Sequence, residues 1–221
     1  MKLQTSIFAV ILSSTLTGCT DLPNKEGGQL YYGFTIIDPL AESVSDDAWI
    51  VIEGERISEI GSGRAPISMY AQARDMTGTF ALPGLIDAHA HITAGPYAMS
   101  FEDGTPTLTM ESRDDITEHN GRMALAFGVT TVRNPGGSTD ANRRYDSHIA
   151  NGTWIGPEAL HAGAIIQPPP MGGSAFAYPE SDQAWLLEAQ SQADQGMVYF
   201  KLYVGLTEDE LAKGIEAAHQ A

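Results

Sequence analysis

The sequence predicts an α/β protein led by a strand-rich segment, and three observations carry that expectation. Over residues 30–82 the β-prone runs are short and separated by turn formers, with no helical period between them. Beyond Pro83 apolar strand-like runs alternate four times with amphipathic helical stretches, the pattern of a parallel sheet with crossover helices. The punctuation agrees, because Ser112, Ser138, Ser181 and Thr207 open the helical stretches while Gly128 and Gly196 follow two of them.

Taken in order, the first 18 residues carry Lys2 and then the apolar run 7–12, too short to stay in a bilayer as a spanning helix and typical of a secretory signal. Residues 16–19 read Leu-Thr-Gly-Cys and resemble a bacterial lipobox, which implies cleavage before Cys19 and lipidation of its thiol. Several acyl chains hold a protein stably, each buried methylene contributing about 0.8 kcal/mol. Thr20 follows the cysteine, and by resemblance to sorting rules this implies the outer membrane of the bacterial envelope, with the protein facing the periplasm. An ordinary cleaved signal or a buried free thiol is the blander alternative. Cys19 is the only cysteine, so an intrachain disulfide is excluded. Residues 19–29 are polar and turn-rich, a tether.

Within 30–82, residues 31–37 are β-prone, and 49–52 with 56–60 flank Glu53-Gly54-Glu55 as a hairpin would. A further short segment spans 76–82, and strands at this spacing imply a small β-sandwich. From 83 to 221 the expected strands are 85–92, 129–133, 159–166 and 197–204. The expected helices are 112–127, 138–150, 181–193 and one opening at Thr207. Ser112 is expected to cap the first, and Thr207 with Glu210 makes a capping box for the last, whose Leu211 and Ile215 share one face. The net charge of −16 argues against nucleic acid as a partner, since a polyphosphate would be repelled.

The chemistry concentrates in residues 82–92, LPGLIDAHAHI. On an extended strand His89 and His91, two residues apart, project to one face, and two neutral imidazoles there can chelate a divalent metal. A second signal is Lys201, set inside the apolar run VYFKLYV of residues 198–204. Burial of a lysine favours the neutral amine, which can react with carbon dioxide to give a carbamate, a bidentate oxygen donor. The alternative is a lysine whose stem lies on the core and whose head reaches solvent.

The segment PGLIDAHAH resembles the first-strand signature of the amidohydrolase superfamily, metal-dependent hydrolases. The resemblance implies that the chain is the N-terminal half of a (β/α)8 TIM barrel preceded by a small β-sandwich, because four strand–helix units are found where the barrel has eight. It also implies that His89 and His91 are metal ligands. Lys201, in order and context, matches the carboxylated lysine at the end of strand four that bridges two metals in one branch of the family, the branch of imidazolonepropionase-like and Xaa-Pro-dipeptidase-like members. The implied cofactors are two divalent ions, with zinc favoured by an N/O donor set, and carbon dioxide for Lys201.

The implied activity is cleavage of an amide or peptide C–N bond in a small substrate. The family's later histidines and its proton-shuttling aspartate have no counterpart in these 221 residues. No catalytic residue is therefore assigned, and the chain as given is expected to be inactive, as a truncated form. The competing expectation is a non-catalytic, lipid-anchored binding or structural module. Expected partners are a small amide or dipeptide and the membrane, with a homo-oligomer left open.

The remaining candidates rank lower. His119, His148 and His219 fall on expected helices and read as surface residues. His161 reads as a satisfied core histidine that borders a pocket at most. Asn134 stands where the family often has aspartate, and residues 167–173 (QPPPMGG) form a candidate lid after strand three.

Overall fold

A computed structural model describes residues 27–102 and 104–221, in two compact units that meet in sequence at Pro83 and Gly84. The signal segment and Cys19 lie outside the described residues, as does most of the tether.

The first unit contains β1 (Gly28–Asp38), β2 (Ser43–Glu53), β3 (Arg56–Ser62), β4 (Gln72–Asp75) and β5 (Phe80–Ala81). The segment expected as a small β-sandwich carries these strands in one mixed five-stranded sheet, ordered β3-β2-β1-β4 with β5 also on β1. The expected hairpin is present: β2 and β3 are antiparallel, and Glu53 faces Arg56 across the two-residue turn Gly54-Glu55. Alternation does the rest, placing Leu30 and Val51 on one face where Tyr70 covers them. Asp38 holds the β1–β2 turn by accepting the backbone N–H groups of Leu40 and Ala41, both at 3.0 Å.

The second unit begins with β6 (Leu85–Asp87) and continues with a hairpin, β7 (Tyr97–Glu102) and β8 (Thr105–Met110). Then come α1 (Asp114–Ala126), β9 (Val129–Asn134), α2 (Thr139–Ala150), β10 (Glu158–His161), β11 (Ile165–Ile166), β12 (Met171–Gly172), β13 (Phe176–Ala177), α3 (Asp182–Asp194) and α4 (Glu208–Gln220). Strands β6, β9 and β10 are parallel neighbours in chain order. The fourth expected strand joins through two parallel bridges, Ala162 to Tyr199 and Ile166 to Leu202. Successive strands thus lie side by side, as a βα-barrel requires.

Three local expectations need correction. The first helix is capped by Arg113, not Ser112, and Arg113 makes no side-chain cap; its guanidinium instead grips Asp115 at 2.7 Å. The third strand is broken between His161 and Ile165, and the fourth is reduced to bridges. In α4 the packed face is Gly214 and Ala217, while Leu211 and Ile215 are exposed. A Cβ on Gly214 would come within 2.5 Å of Leu202, so close approach through small residues replaces the apolar stripe that the period suggested. The capping box of α4 is as expected, with Thr207 accepting a backbone N–H and Glu210 completing it. Ser138 and Ser181, where the second and third helices are expected to open, cap α2 and α3 by accepting a backbone N–H each.

The helices cover one side of the parallel sheet. Ile92, Val132 and Tyr145 form one core with Ala90 and Ala159 against it, and Ile166, Trp185, Ala189 and Ala217 form another with Phe200 and Leu202. The Tyr145 hydroxyl donates to the Pro157 carbonyl at 2.7 Å, and burial pushes its pKa up. The β7–β8 hairpin is unannounced by the sequence reading. Its signal is the period-two alternation Tyr97, Met99, Phe101 opposite Pro106, Leu108, Met110. Residues 167–173, expected as a lid, contribute β12, which pairs in parallel with β8 and makes a three-stranded sheet with the hairpin.

Candidate metal centre

The chain leaves β6 at Asp87, whose carboxylate accepts the His89 N–H at 3.0 Å and turns the backbone. The Ala90 N–H donates to the Arg133 carbonyl at 3.2 Å, which keeps this segment beside β9. Ala90 and Ile92 pack toward Val132 and Tyr145. His89 and His91 lie beyond β6, because the first strand, expected to run to residue 92, stops at Asp87 and the chain bends there. Their ring centroids are 5.6 Å apart, edge to face.

The Nδ1 atom of His91 lies 2.7 Å from the Gly136 carbonyl oxygen. A carbonyl only accepts, so Nδ1 carries the hydrogen and the neutral ring keeps its lone pair on Nε2. A metal-binding histidine is held in this way, by donating its other ring N–H to a fixed acceptor. Gly136 has φ +135, and a Cβ there would fall 2.4 Å from Ile165 Cγ1, so the turn offering this carbonyl depends on glycine.

Lys201 lies on the fourth strand. Phe200 and Leu202 on either side of it pack toward α3 and α4, so Lys201 projects to the helix-free face. Its Nζ sits 4.9 Å from the Tyr203 ring centroid. On the same face the Arg133 guanidinium lies 4.9 Å from the Tyr199 ring. The expected burial of Lys201 is corrected: the residue is half-buried, because its strand pairs only through isolated bridges.

A metal implied by this pattern can be tested against the donors present. A zinc–nitrogen bond is about 2.0–2.1 Å, which puts the centroids of two imidazoles on one tetrahedral ion roughly 5 Å apart. The observed spacing is close to that, and His91 has a defined free nitrogen, so the pair fits a divalent ion. Among the described residues no group of three or more histidine, cysteine, aspartate or glutamate side chains gathers to hold one. The structure therefore brings the two histidines together, and among the described residues no further histidine, cysteine or carboxylate completes a metal-holding group with them.

Nearby is a buried polar group of which the sequence singles out Asn134 and His161 but not Thr93 or Asn142. Thr93, Asn134, Asn142 and His161 form a buried polar cluster on the helix side. Asn134 Nδ2 lies 2.8 Å from His161 Nδ1, and His161 Nε2 lies 3.0 Å from Asp146 Oδ1. His161 is thus the satisfied core histidine expected. His119 and His219 are exposed, and His148 is stacked on Trp154 with 3.9 Å between centroids.

Comparison with known proteins adds the class. No protein-family model matches the chain. Over 103 residues it is 38% identical to a dihydroorotase of Trichlorobacter lovleyi, a stretch covering 47% of this chain and 20% of that protein. Over 117 residues it is 29% identical to an imidazolonepropionase of Fusobacterium nucleatum, covering 41% of this chain and 28% of that one. Among solved structures, a Xaa-Pro dipeptidase with methionine bound in its active site superposes with a TM-score of 0.67 at 20% identity, over 87% of this chain and 54% of its own. The ochratoxinase of A. niger does so at 0.62 and 17%, over 87% and 54%. The fold is that of a barrel of which this chain spans about half the length. The sequence and fold similarities together support an amidohydrolase superfamily member.

Proposed function

We propose that the chain is part of a metal-dependent hydrolase that cleaves an amide or peptide C–N bond in a small substrate. The observation that carries this reading is the His89–His91 pair, with His91 Nδ1 tied to the Gly136 carbonyl, where β6 ends. In barrels the reacting groups gather at the C-terminal ends of the strands. A bound divalent ion would supply a nucleophile near neutral pH by acidifying water, and would polarise the scissile carbonyl. His89 and His91 would hold it through ring nitrogens. Lys201 would add oxygen donors once its neutral amine has attacked carbon dioxide, forming an N–C bond and releasing a proton to solvent. Imidazolonepropionase-like and Xaa-Pro-dipeptidase-like chemistry fits this donor set, with zinc the favoured ion.

The test is zinc binding by the 221-residue chain, followed by equilibrium dialysis and by the imidazole 15N signals. Binding that shifts both rings and is lost in His89→Ala is the expected result; unmoved signals at millimolar zinc overturn the reading. The chain alone is expected to show no substantial turnover of dipeptides or N-acyl amino acids.

A second reading, a lipid-anchored binding or structural module, draws on the lack of a three-ligand group among the described residues. Tight binding of two ions per chain would count against it. Either reading places the protein at the bacterial envelope through Cys19, which Cys19→Ser would release from the membrane fraction. No helix among the described residues is long and apolar enough to cross a membrane.

A further inference from the structure

We infer that Thr93, Asn134 and Asn142 are positioning residues for His91, an inference that rests on reading His89 and His91 as metal donors. The His91 tautomer depends on the Gly136 carbonyl being where it is. That carbonyl sits in the turn 134–137, and both ends of the turn are held. At one end the Asn134 carbonyl accepts the Ala162 N–H at 2.9 Å; at the other the Gly137 N–H donates to the Gly163 carbonyl at 3.0 Å. The turn is therefore clamped to the chain that follows β10.

The side chains tie the same turn to the segment bearing His91. Asn142, on α2, donates its Nδ2 to the Ala162 carbonyl at 2.8 Å, which fixes the sense of its amide. Its Oδ1 is thereby the acceptor for both the Thr93 hydroxyl, at 2.6 Å, and Asn134 Nδ2, at 3.0 Å. Thr93 stands two residues beyond His91, and Asn134 two residues before Gly136. One buried oxygen thus sets the distance between the imidazole and the carbonyl that it bonds. The orientation imposed on Asn134 leaves its own Oδ1 buried without a partner among the described residues, a cost the cluster bears. Thr93, Asn134, Asn142 and His161 are all at most 2% exposed, so water does not compete for these bonds.

A cluster that only stabilised the fold would change the melting temperature when disturbed, without altering the His91 proton. A positioning cluster does both. The experiment uses the full chain labelled with 15N-histidine, metal-free and then titrated with zinc, for the natural sequence, Thr93→Val and Thr93→Ser. Valine keeps the shape and removes the hydroxyl; serine keeps the hydroxyl. Expected are a single Nδ1–H tautomer for His91 in the natural chain, mixed tautomers and roughly 10-fold weaker zinc binding in Thr93→Val, and recovery of both in Thr93→Ser.

A natural chain whose His91 already averages between tautomers overturns the inference without any variant, should Thr93→Val fail to fold. So does a folded Thr93→Val with unchanged tautomer and unchanged zinc affinity. A natural chain with His91 locked but indifferent to zinc instead overturns the metal reading, and with it the purpose assigned to the cluster.

Discussion

Toward the helices, the parallel sheet turns Val132, Ile166 and Asn134, all essentially inaccessible; on its other face Leu160 and Tyr199 are 36% and 37% exposed. The covered face is packed by the helix that follows each strand, so its partners are near in sequence: Val132 meets Tyr145, and Ile166 meets Trp185. The open face collects residues from strands far apart in the chain, Arg133 on one and Tyr199 and Lys201 on another, while His89 and His91 follow the end of β6. Packing is concentrated on the first face, and Lys201, a proposed metal donor, stands on the second. The buried polar cluster lies among the helix-side residues and is proposed to steady His91, beyond the end of β6.

The contrast can be broken most directly at Trp185, which is 3% exposed between α3 and α4. Trp185→Ala is expected to cost about 3–5 kcal/mol in urea unfolding, the range for emptying a large aromatic site. A loss under 1 kcal/mol would mean that the helix layer does not carry the fold. Next comes Asn142→Leu, which withdraws the acceptor from Thr93 and Asn134 and the donor from Ala162. Stranding buried polar groups costs about 1–3 kcal/mol each, so a destabilisation of about 3 kcal/mol is expected, against near neutrality if the cluster is incidental.

A smaller, pH-dependent effect is expected at the α4 cap. The Tyr178 hydroxyl first, and then the Thr207 N–H and hydroxyl, donate to Glu210 and hold its carboxyl below the usual range. A carboxylate whose pKa is lower folded than unfolded stabilises the fold above its unfolded value of 4.5, and the contribution fades as pH falls through the lower folded value. Glu210→Gln should therefore melt earlier than the natural chain at pH 7, with the gap closing in acid. A gap that persists at low pH would assign the effect to packing. The least change is expected on the open face, where Leu160→Ser should stay within about 0.5 kcal/mol. A loss of 2 kcal/mol or more would reveal that this face is covered in solution.

The legible parts of the fold were those with short-range causes. Ser138, Ser181 and the Thr207–Glu210 box announce their helices because a cap is satisfied within four residues. The Glu53-Gly54-Glu55 turn announces its hairpin for the same reason. Ser112 misled because a cap needs the backbone to enter the helix at that residue, and here it enters one later. Leu211 and Ile215 misled because a period identifies an apolar face without saying whether a partner prefers Gly214 and Ala217. The β7–β8 hairpin was legible in its alternation and passed over between two stronger signals.

By itself the amino-acid order determined that strands and helices alternate after Pro83, and that His89 and His91 share a side wherever the chain is extended, because both follow from the geometry of a few consecutive residues. The tautomer of His91 was decided only in three dimensions. Its acceptor, Gly136, is 45 residues away, and the bonds that steady the two come from Thr93, Asn134 and Asn142. A hydrogen bond selects one ring nitrogen only when its partner is held within a few tenths of an ångström, and that precision comes from packing between distant segments.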